Sequence, residues 1–343
     1  MSAPASDAVD DWTAPGAHPV APGVHRIPLP LPNDGLRAVN VYAVEDGERV
    51  VLVDGGWALL EAERALAAAL DSLGHGLSDV HHVLVTHAHR DHYTQAAALR
   101  RRFGTTVSLG VGERPTMVAV NTDFDELAQL RQLVAAGAGD LAHALGALPH
   151  PVPDLTNWAY PDHWLEDGAR VDLHGRALHA VHTPGHTRGH LVFHDSTAGI
   201  LFAGDHVLPH ITPSIGFEQA PVASPLTDYL TSLRLVRGMP YAVLLPAHGP
   251  ATQSVHARVD ELLAHHEWRL DATLTALAAG ASTAHEVADR LTWTRRHRTL
   301  SDLDLFNRML AVLESVAHLE VLVERGHAAR TEIDGAVHYT SVS

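Results

Sequence analysis

Thr86-His87-Ala88-His89-Arg90-Asp91-His92 places three imidazoles and a carboxylate on six consecutive residues, in the order H-x-H-x-D-H. Val83-Leu84-Val85, just upstream, is a short apolar run of the kind that makes a buried strand. The cluster is therefore expected where a strand ends and the chain turns into a helix starting near Tyr93. Neutral imidazole suits zinc, iron, copper or nickel, and a carboxylate adds a harder ligand that can also carry a proton. In a chain this rich in histidine, chance alone produces such a pattern with odds of roughly one in a hundred. Three later fragments raise its weight: Thr183-Pro184-Gly185-His186-Thr187, Phe202-Ala203-Gly204-Asp205-His206 and Pro246-Ala247-His248-Gly249-Pro250. Each sets a ligand-capable residue just after an apolar, strand-like run, as a site built on strand ends requires.

In these motifs the chain resembles the metallo-β-lactamase fold superfamily, in the branch of glyoxalase II-like hydrolases, over about residues 20 to 255. The resemblance implies an α/β fold, the αββα sandwich. It implies that His87, His89 and His186 hold one metal, that Asp91, His92 and His248 hold a second, and that Asp205 bridges them. Asp54, in Val51-Leu52-Val53-Asp54-Gly55-Gly56, matches the family aspartate that orients a ligand without binding metal. Many relatives follow the first motif with a Gly-rich pair, whereas Tyr93-Thr94-Gln95 stands here. Two divalent ions, zinc first and iron or manganese as alternatives, would hold a shared hydroxide as the attacking group, with Asp91 as ligand or as proton acceptor.

Composition narrows the chemistry. The chain has 343 residues, 46% of them hydrophobic, enough for one large domain and a small one. It has no cysteine, which removes disulfides, thiolate ligation and a Cys nucleophile together. All 24 basic residues are arginine, so lysine chemistry is absent as well. A formal net charge of -16 repels polyanions, and nucleic acid is a disfavoured partner. No run approaches the ~20 apolar residues of a membrane span, and residues 1–22 lack a signal-peptide pattern and read as a flexible tail. The expectation is a cytoplasmic protein with a small-molecule acyl substrate; homodimerisation is left open.

Val39 to Val44 and Val50 to Val53 read as a strand hairpin, and Ala58 to Leu73 as a helix stopped at Gly74. Residues 112–167 carry no ligand motif and read as a helical insertion broken at 149–153, with Phe124, Trp158, Tyr160 and Trp164. The last three, with His210, are candidate substrate contacts. Strands resume at Ala177 to Val181, Leu191 to Phe193, Ile200 to Ala203 and Ala242 to Leu245. His182, His190 and His206 are candidate supports for ligands. His81, His82, His265 and His266 look like exposed pairs, and Arg295 to Arg298 like a solvated loop or a phosphate anchor.

Past residue 255 the pattern gives three helices, Val255 to Ala278, one capped near Ser282-Thr283, and Leu303 to Glu324, then a hairpin around Asp334-Gly335. This order over residues 256–343 resembles the winged-helix-like C-terminal domain of the lactamase-beta-2-like subgroup, with residues 23–255 as the hydrolase domain. The resemblance implies hydrolysis of a carboxylic ester or thioester. Metal-dependent ribonuclease or phosphodiesterase activity and lactonase activity are the alternatives. A winged-helix regulator is the non-enzymatic one; its third helix carries Asp304, Glu314, Glu320 and Glu324 against Arg308, a poor surface for phosphate.

Overall fold

The computed structural model describes residues 11–32, 35–122, 128–149, 154–251, 254–294 and 296–342. Phe124, Arg295, residues 1–10 of the expected tail and residues 150–153 of the expected break lie outside them. The first sheet has seven strands in chain order. An antiparallel half comprises β1 (His18–Ala21), β2 (Val24–Pro30), β3 (Ala38–Asp46) and β4 (Arg49–Val53). Helix α1 (Leu60–Asp71) then crosses to β5 (Val80–Val85), and α2 (Arg90–Phe103) crosses to β6 (Thr106–Gly110), both parallel to their predecessors. Helices α3 (Arg114–Thr122), α4 (Ala128–Ala135) and α5 (Gly139–Gly146) precede β7 (His163–Leu165), the far edge of this sheet.

The second sheet runs β12-β11-β10-β9-β8. It contains β8 (Arg170–Leu173), β9 (Arg176–His182), β10 (Leu191–Asp195) and β11 (Ile200–Gly204), followed by α6 (Pro225–Arg237) and the parallel β12 (Val243–Pro246). Helices α7 (Val255–Ala278), α8 (Ala284–Arg290) and α9 (Leu305–Glu324) follow, then the hairpin β13 (Ala328–Ile333) and β14 (Ala336–Ser341).

Strand periodicity explains the layering, because successive side chains point to opposite faces. On β4, Val50 and Leu52 join the core under α1 and α2, whereas Val51 and Val53 face the second sheet; on β5, Val83 and Val85 take the helix side and Leu84 the sheet side. Leu178, Phe193, Phe202 and Leu245 complete the inter-sheet core from the other sheet. Beyond it, Val192, Leu201 and Leu244 pack in one apolar cluster with α4, α5, α6 and all three C-terminal helices. The result is helix, sheet, sheet, helix. No core boundary separates α7–α9 from the second sheet.

Several elements differ from the sequence reading. Helix α2 begins at Arg90 rather than near Tyr93, so Asp91 and His92 ride on its first turn, where an acidic side chain is favoured by the helix dipole. Residues 11–22 belong to the fold: β1 pairs with β2, and the Trp12 carbonyl accepts from Arg26 at 2.5 Å. The 112–167 stretch is not purely helical, since Trp164 lies on β7. The C-terminal order of three helices and a hairpin is present, with Asp334 and Gly335 at positive φ as a type I′ turn needs. Among the described residues no helix is long and apolar enough to cross a membrane.

Candidate metal centre

The motifs meet at one rim of the two sheets, because each follows the end of a strand: Asp54 after β4, His87 and His89 after β5, His186 after β9, Asp205 after β11 and His248 after β12. Two ligand-capable groups result, His87 with His89, His186 and Asp205, and Asp91 with His92 and His248. All are buried except His89 and Asp91, which are partly open.

Hydrogen bonds behind the rings fix their protonation. The Ser214 carbonyl accepts from His186 Nδ1 at 2.8 Å, the Ala38 carbonyl from His248 Nδ1 at 2.8 Å, and Asp54 Oδ2 from His92 Nδ1 at 2.9 Å. Thr86 donates its hydroxyl to Asp54, so its oxygen accepts from His87 Nδ1 at 3.0 Å. His87 and His186, both held neutral, then turn a bare Nε2 lone pair inward, while His92 and His248 turn Nε2 toward Asp91 and Asp205. His87 Nε2 and His186 Nε2 both face His89 Nδ1, at 2.9 and 3.1 Å. A single proton on His89 could serve one of them but not both.

The second group sets imidazoles against carboxylates. His92 Nε2 and His248 Nε2 lie 3.6 and 3.5 Å from Asp91 Oδ2 and 3.6 and 3.4 Å from Asp205 Oδ1. Both nitrogens and Asp205 Oδ1 are buried without a hydrogen-bond partner. The other oxygen, Asp205 Oδ2, is 3.4 Å from His186 Nε2, so this carboxylate straddles the groups. Atoms about 2.0–2.2 Å from a shared cation sit about 3.3–3.6 Å apart at tetrahedral angles, which the second group matches. Acceptors converging on acceptors in the first group, and imidazoles closing on two carboxylates in the second, make a donor set that fits a cation.

Electrostatics divides the cluster. Burial, then the neighbouring imidazoles, holds His87 well below the ordinary histidine value, His89 at about 3 and His186 at about 4. Burial opposes charge on His92 too, but Asp54, Asp91 and Asp205 outweigh it and push it up to about 10. Burial would raise Asp91, yet His92 and His248 hold it far below the carboxylate range.

Supports missed by the sequence reading are polar residues outside the motifs or between their ligands. Asn40 Nδ2 donates to the Pro246 and Gly249 carbonyls at 2.9 and 2.8 Å, and Tyr42 donates to Pro246 at 2.8 Å, which ties down the His248 turn. Asp54 sits at φ 63°, in the left-handed region that few non-glycine residues adopt. Gly204, at φ 50°, cannot carry a side chain, since a Cβ would meet His190 Nε2 and Thr86 Oγ1 at 2.7 Å.

The flanking histidines divide. His190 stacks on His87 with centroids 5.0 Å apart and its Nε2 accepts from the Asp205 amide at 3.2 Å, a support for two ligands at once. His206 is buried with neither nitrogen partnered, and His182 bonds the Arg188 carbonyl. His210 is exposed and lies against Gly249, beside His248. Trp158 stacks on Tyr93 of α2, Trp164 lies under Arg114, and Tyr160 leans on Trp164. These rings pack in the wall behind α2, and none of their ring contacts is with a ligand histidine. Phe217 lies 6.3 Å from His89, centroid to centroid, and is in edge contact with the half-exposed Phe306 of α9. Leu313, Val316 and Ala317 of α9 line a cleft that reaches His186.

A four-layer αββα fold with a histidine and aspartate cluster at its strand ends defines a class, and comparison gives the family. A model of the metallo-beta-lactamase superfamily matches residues 34–248. The chain belongs to that superfamily. The crystal structure of a metallo-beta-lactamase family protein from Thermus thermophilus superposes with a TM-score of 0.77 at 29% identity, covering 94% of this chain and 99% of that one. Lactamase-like protein adaB of Aspergillus niger is 27% identical over 242 residues, 71% of this chain and 59% of that protein. The atrochrysone carboxyl ACP thioesterase of Aspergillus fumigatus is 24% identical over 246 residues, 72% of this chain and 46% of its own. The chain thus spans about six-tenths or less of the length of these two curated relatives.

Proposed function

We propose that this protein is a binuclear metal-dependent hydrolase of a small carboxylic ester or thioester. In this reading residues 23–255 form the hydrolase domain and residues 256–343 a winged-helix-like domain. His87, His89 and His186 hold one divalent ion, Asp91, His92 and His248 the other, and Asp205 both, with zinc the first choice and iron or manganese compatible. The carrying observation is the convergence of both groups on Asp205, whose Oδ2 lies 3.4 Å from His186 Nε2 and whose buried, unpartnered Oδ1 lies 3.4 Å from His248 Nε2 and 3.6 Å from His92 Nε2.

When bound, the ion pair would supply Lewis acidity and an activated water. The chain supplies the rest. Asp54 and the Ala38 and Ser214 carbonyls orient the imidazoles, and the surrounding core excludes bulk water. Asp91, with its side chain 15% exposed, is the carboxylate of the cluster placed to relay a proton toward solvent. The acyl group is proposed to approach from the side of α9, where Leu313, Val316 and Ala317 put apolar surface on a narrow cleft that reaches His186.

The thioesterase named among the relatives favours an acyl substrate, and the net charge of -16 disfavours RNA. Helix α9 is buried along most of its length, Met309, Val312, Leu319 and Leu322 included, so it offers no free face to a DNA groove. The test is a turnover screen of metal-loaded protein on thioesters, esters, lactones, phosphodiesters and single-stranded RNA, beside elemental analysis. About two ions per chain with acyl turnover is the expected result. RNA cleavage without acyl turnover would replace this reading with the ribonuclease one.

A further inference from the structure

Glu113 is fully buried on the turn after β6, away from every ligand motif, and the chemistry above makes no use of it. Burial pushes its carboxyl up to about 7 against the pull of several donors. The donors are informative. The Thr187 hydroxyl bonds its Oε1, and the Gly189 and Ala88 amides also favour its charge. Thr187 follows His186 directly, and Ala88 lies between His87 and His89. One carboxyl therefore bonds the segment of His186 directly and lies close to the amide between His87 and His89.

The backbone makes the same connection. A Cβ on Gly189 would stand 2.1 Å from the Glu113 nitrogen, one on Gly110 would stand 2.3 Å from the Gly189 carbonyl oxygen, and one on Gly112 2.7 Å from Gly189 Cα. The His186 loop is thus laid backbone to backbone on the Glu113 turn. On its other side Glu218, also buried, accepts from the Arg188 amide and is anchored through its carbonyl by Gln129 of α4 at 2.9 Å.

We propose that Glu113 is the positioning residue of the first metal half-site, setting the separation of His186 from His87 and His89. A buried acid kept only for packing would not need donors from both ligand segments. Glu113 Oε2 still lacks a direct hydrogen-bond partner, so the carboxyl retains capacity to tighten onto the Ala88 and Gly189 amides when a cation draws the three rings together. This inference rests on the two-metal reading.

The experiment titrates metal-free wild type, Glu113→Gln, Glu113→Ala and Thr187→Val with cobalt(II), following visible absorption, and records the melting of each metal-free protein. Glu113→Ala should weaken the first half-site by about 10–100-fold, as loss of a group behind a ligand typically does, while the second ion binds as before. Glu113→Gln keeps an acceptor for Thr187 and should recover part of the loss. Thr187→Val should shift the same absorption bands, and combining it with Glu113→Ala should add little beyond Glu113→Ala alone, because both remove one contact. If Glu113→Ala unfolds, the Gln and Val variants carry the test. Wild type binding two ions while the variants bind both unchanged would overturn the role of Glu113 and leave the proposed function standing. So would equal weakening of both half-sites in step with a lowered melting temperature. Wild type binding no ion would overturn both.

Discussion

Among the described residues, imidazoles are buried against imidazoles at the strand ends and between α7 and α9, and only the first place has the makings of a metal centre. At the strand ends His87, His89 and His186 bring inward-facing nitrogens to 2.9–3.1 Å, with most of their ring protons already spent on outside acceptors. Between α7 and α9, His266 and His318 stack with Nδ1 and Nε2 3.2 Å apart. There the protons are sufficient: His318 Nδ1 donates to the Glu314 carbonyl at 2.7 Å, leaving its Nε2 to accept from His266 Nδ1. Donor meets acceptor in the second pair, acceptor meets acceptor in the first. Charge differs likewise. Asp54, Asp91 and Asp205 surround the first cluster, whereas the pair faces Arg269, His265, Tyr229 and Glu314. Burial of imidazole is thus a poor sign of a metal site, and the direction of the lone pairs is a good one.

Replacing Asp205 with alanine tests the contrast most severely, since it strips one carboxylate from both ligand groups. Metal content should fall toward zero, and activity should drop well beyond the roughly 10–100-fold typical of losing a group behind a ligand. An Asp205→Ala protein that keeps both ions by elemental analysis would remove the straddling role. Asp54→Asn should be milder, because the amide retains shape but no longer holds His92 with a charge. A loss of roughly 10–100-fold in affinity for the second ion is expected in competition with a chelator. An unchanged affinity would mean that His92 is oriented by packing alone.

The smallest effect concerns the other pair. Burial and nearby positive groups keep His266 well below its ordinary value and His318 down to about 3, so both stay neutral in the fold and gain protons on unfolding. A folded value below the unfolded one places the loss on the acid side: stability is intact above about pH 6.5 and declines from there toward pH 3. Each such group costs about 1.4 kcal/mol per pH unit inside that window. His318→Gln should therefore flatten the decline by up to that slope in urea titrations at successive pH values, with metal content unchanged. A slope equal to wild type, or loss of metal, would show that the two clusters are not independent.

The ligand motifs were legible because each sits beside its own strand: an apolar run followed by His, Asp or Gly needs no distant partner to be read. The strands after residue 170 that flank those motifs were legible on the same ground, as was the hairpin at Asp334-Gly335. Partners from remote chain positions were not. His266 reads as half of an exposed pair and is wholly buried, because α9 covers it from some fifty residues away. Trp158, Tyr160 and Trp164 read as a substrate wall, yet Trp158 stacks on Tyr93 and Trp164 lies against Arg114, while Tyr160 is exposed beside Trp164. Residues 11–22 read as a tail for want of hydrophobic periodicity, although a short edge strand and one carbonyl on Arg26 suffice to seat them.

The sequence by itself determined the kinds of ligand, nitrogen and oxygen without sulfur, and the strand ends that carry them, since composition and local pattern settle both. Only the tertiary structure decided which way each ring turns. That choice belongs to acceptors far off in the chain, the Ala38 carbonyl for His248, the Ser214 carbonyl for His186 and Asp54 for His92. An imidazole has two nitrogens, and the one left free to bind is whichever the fold does not already use.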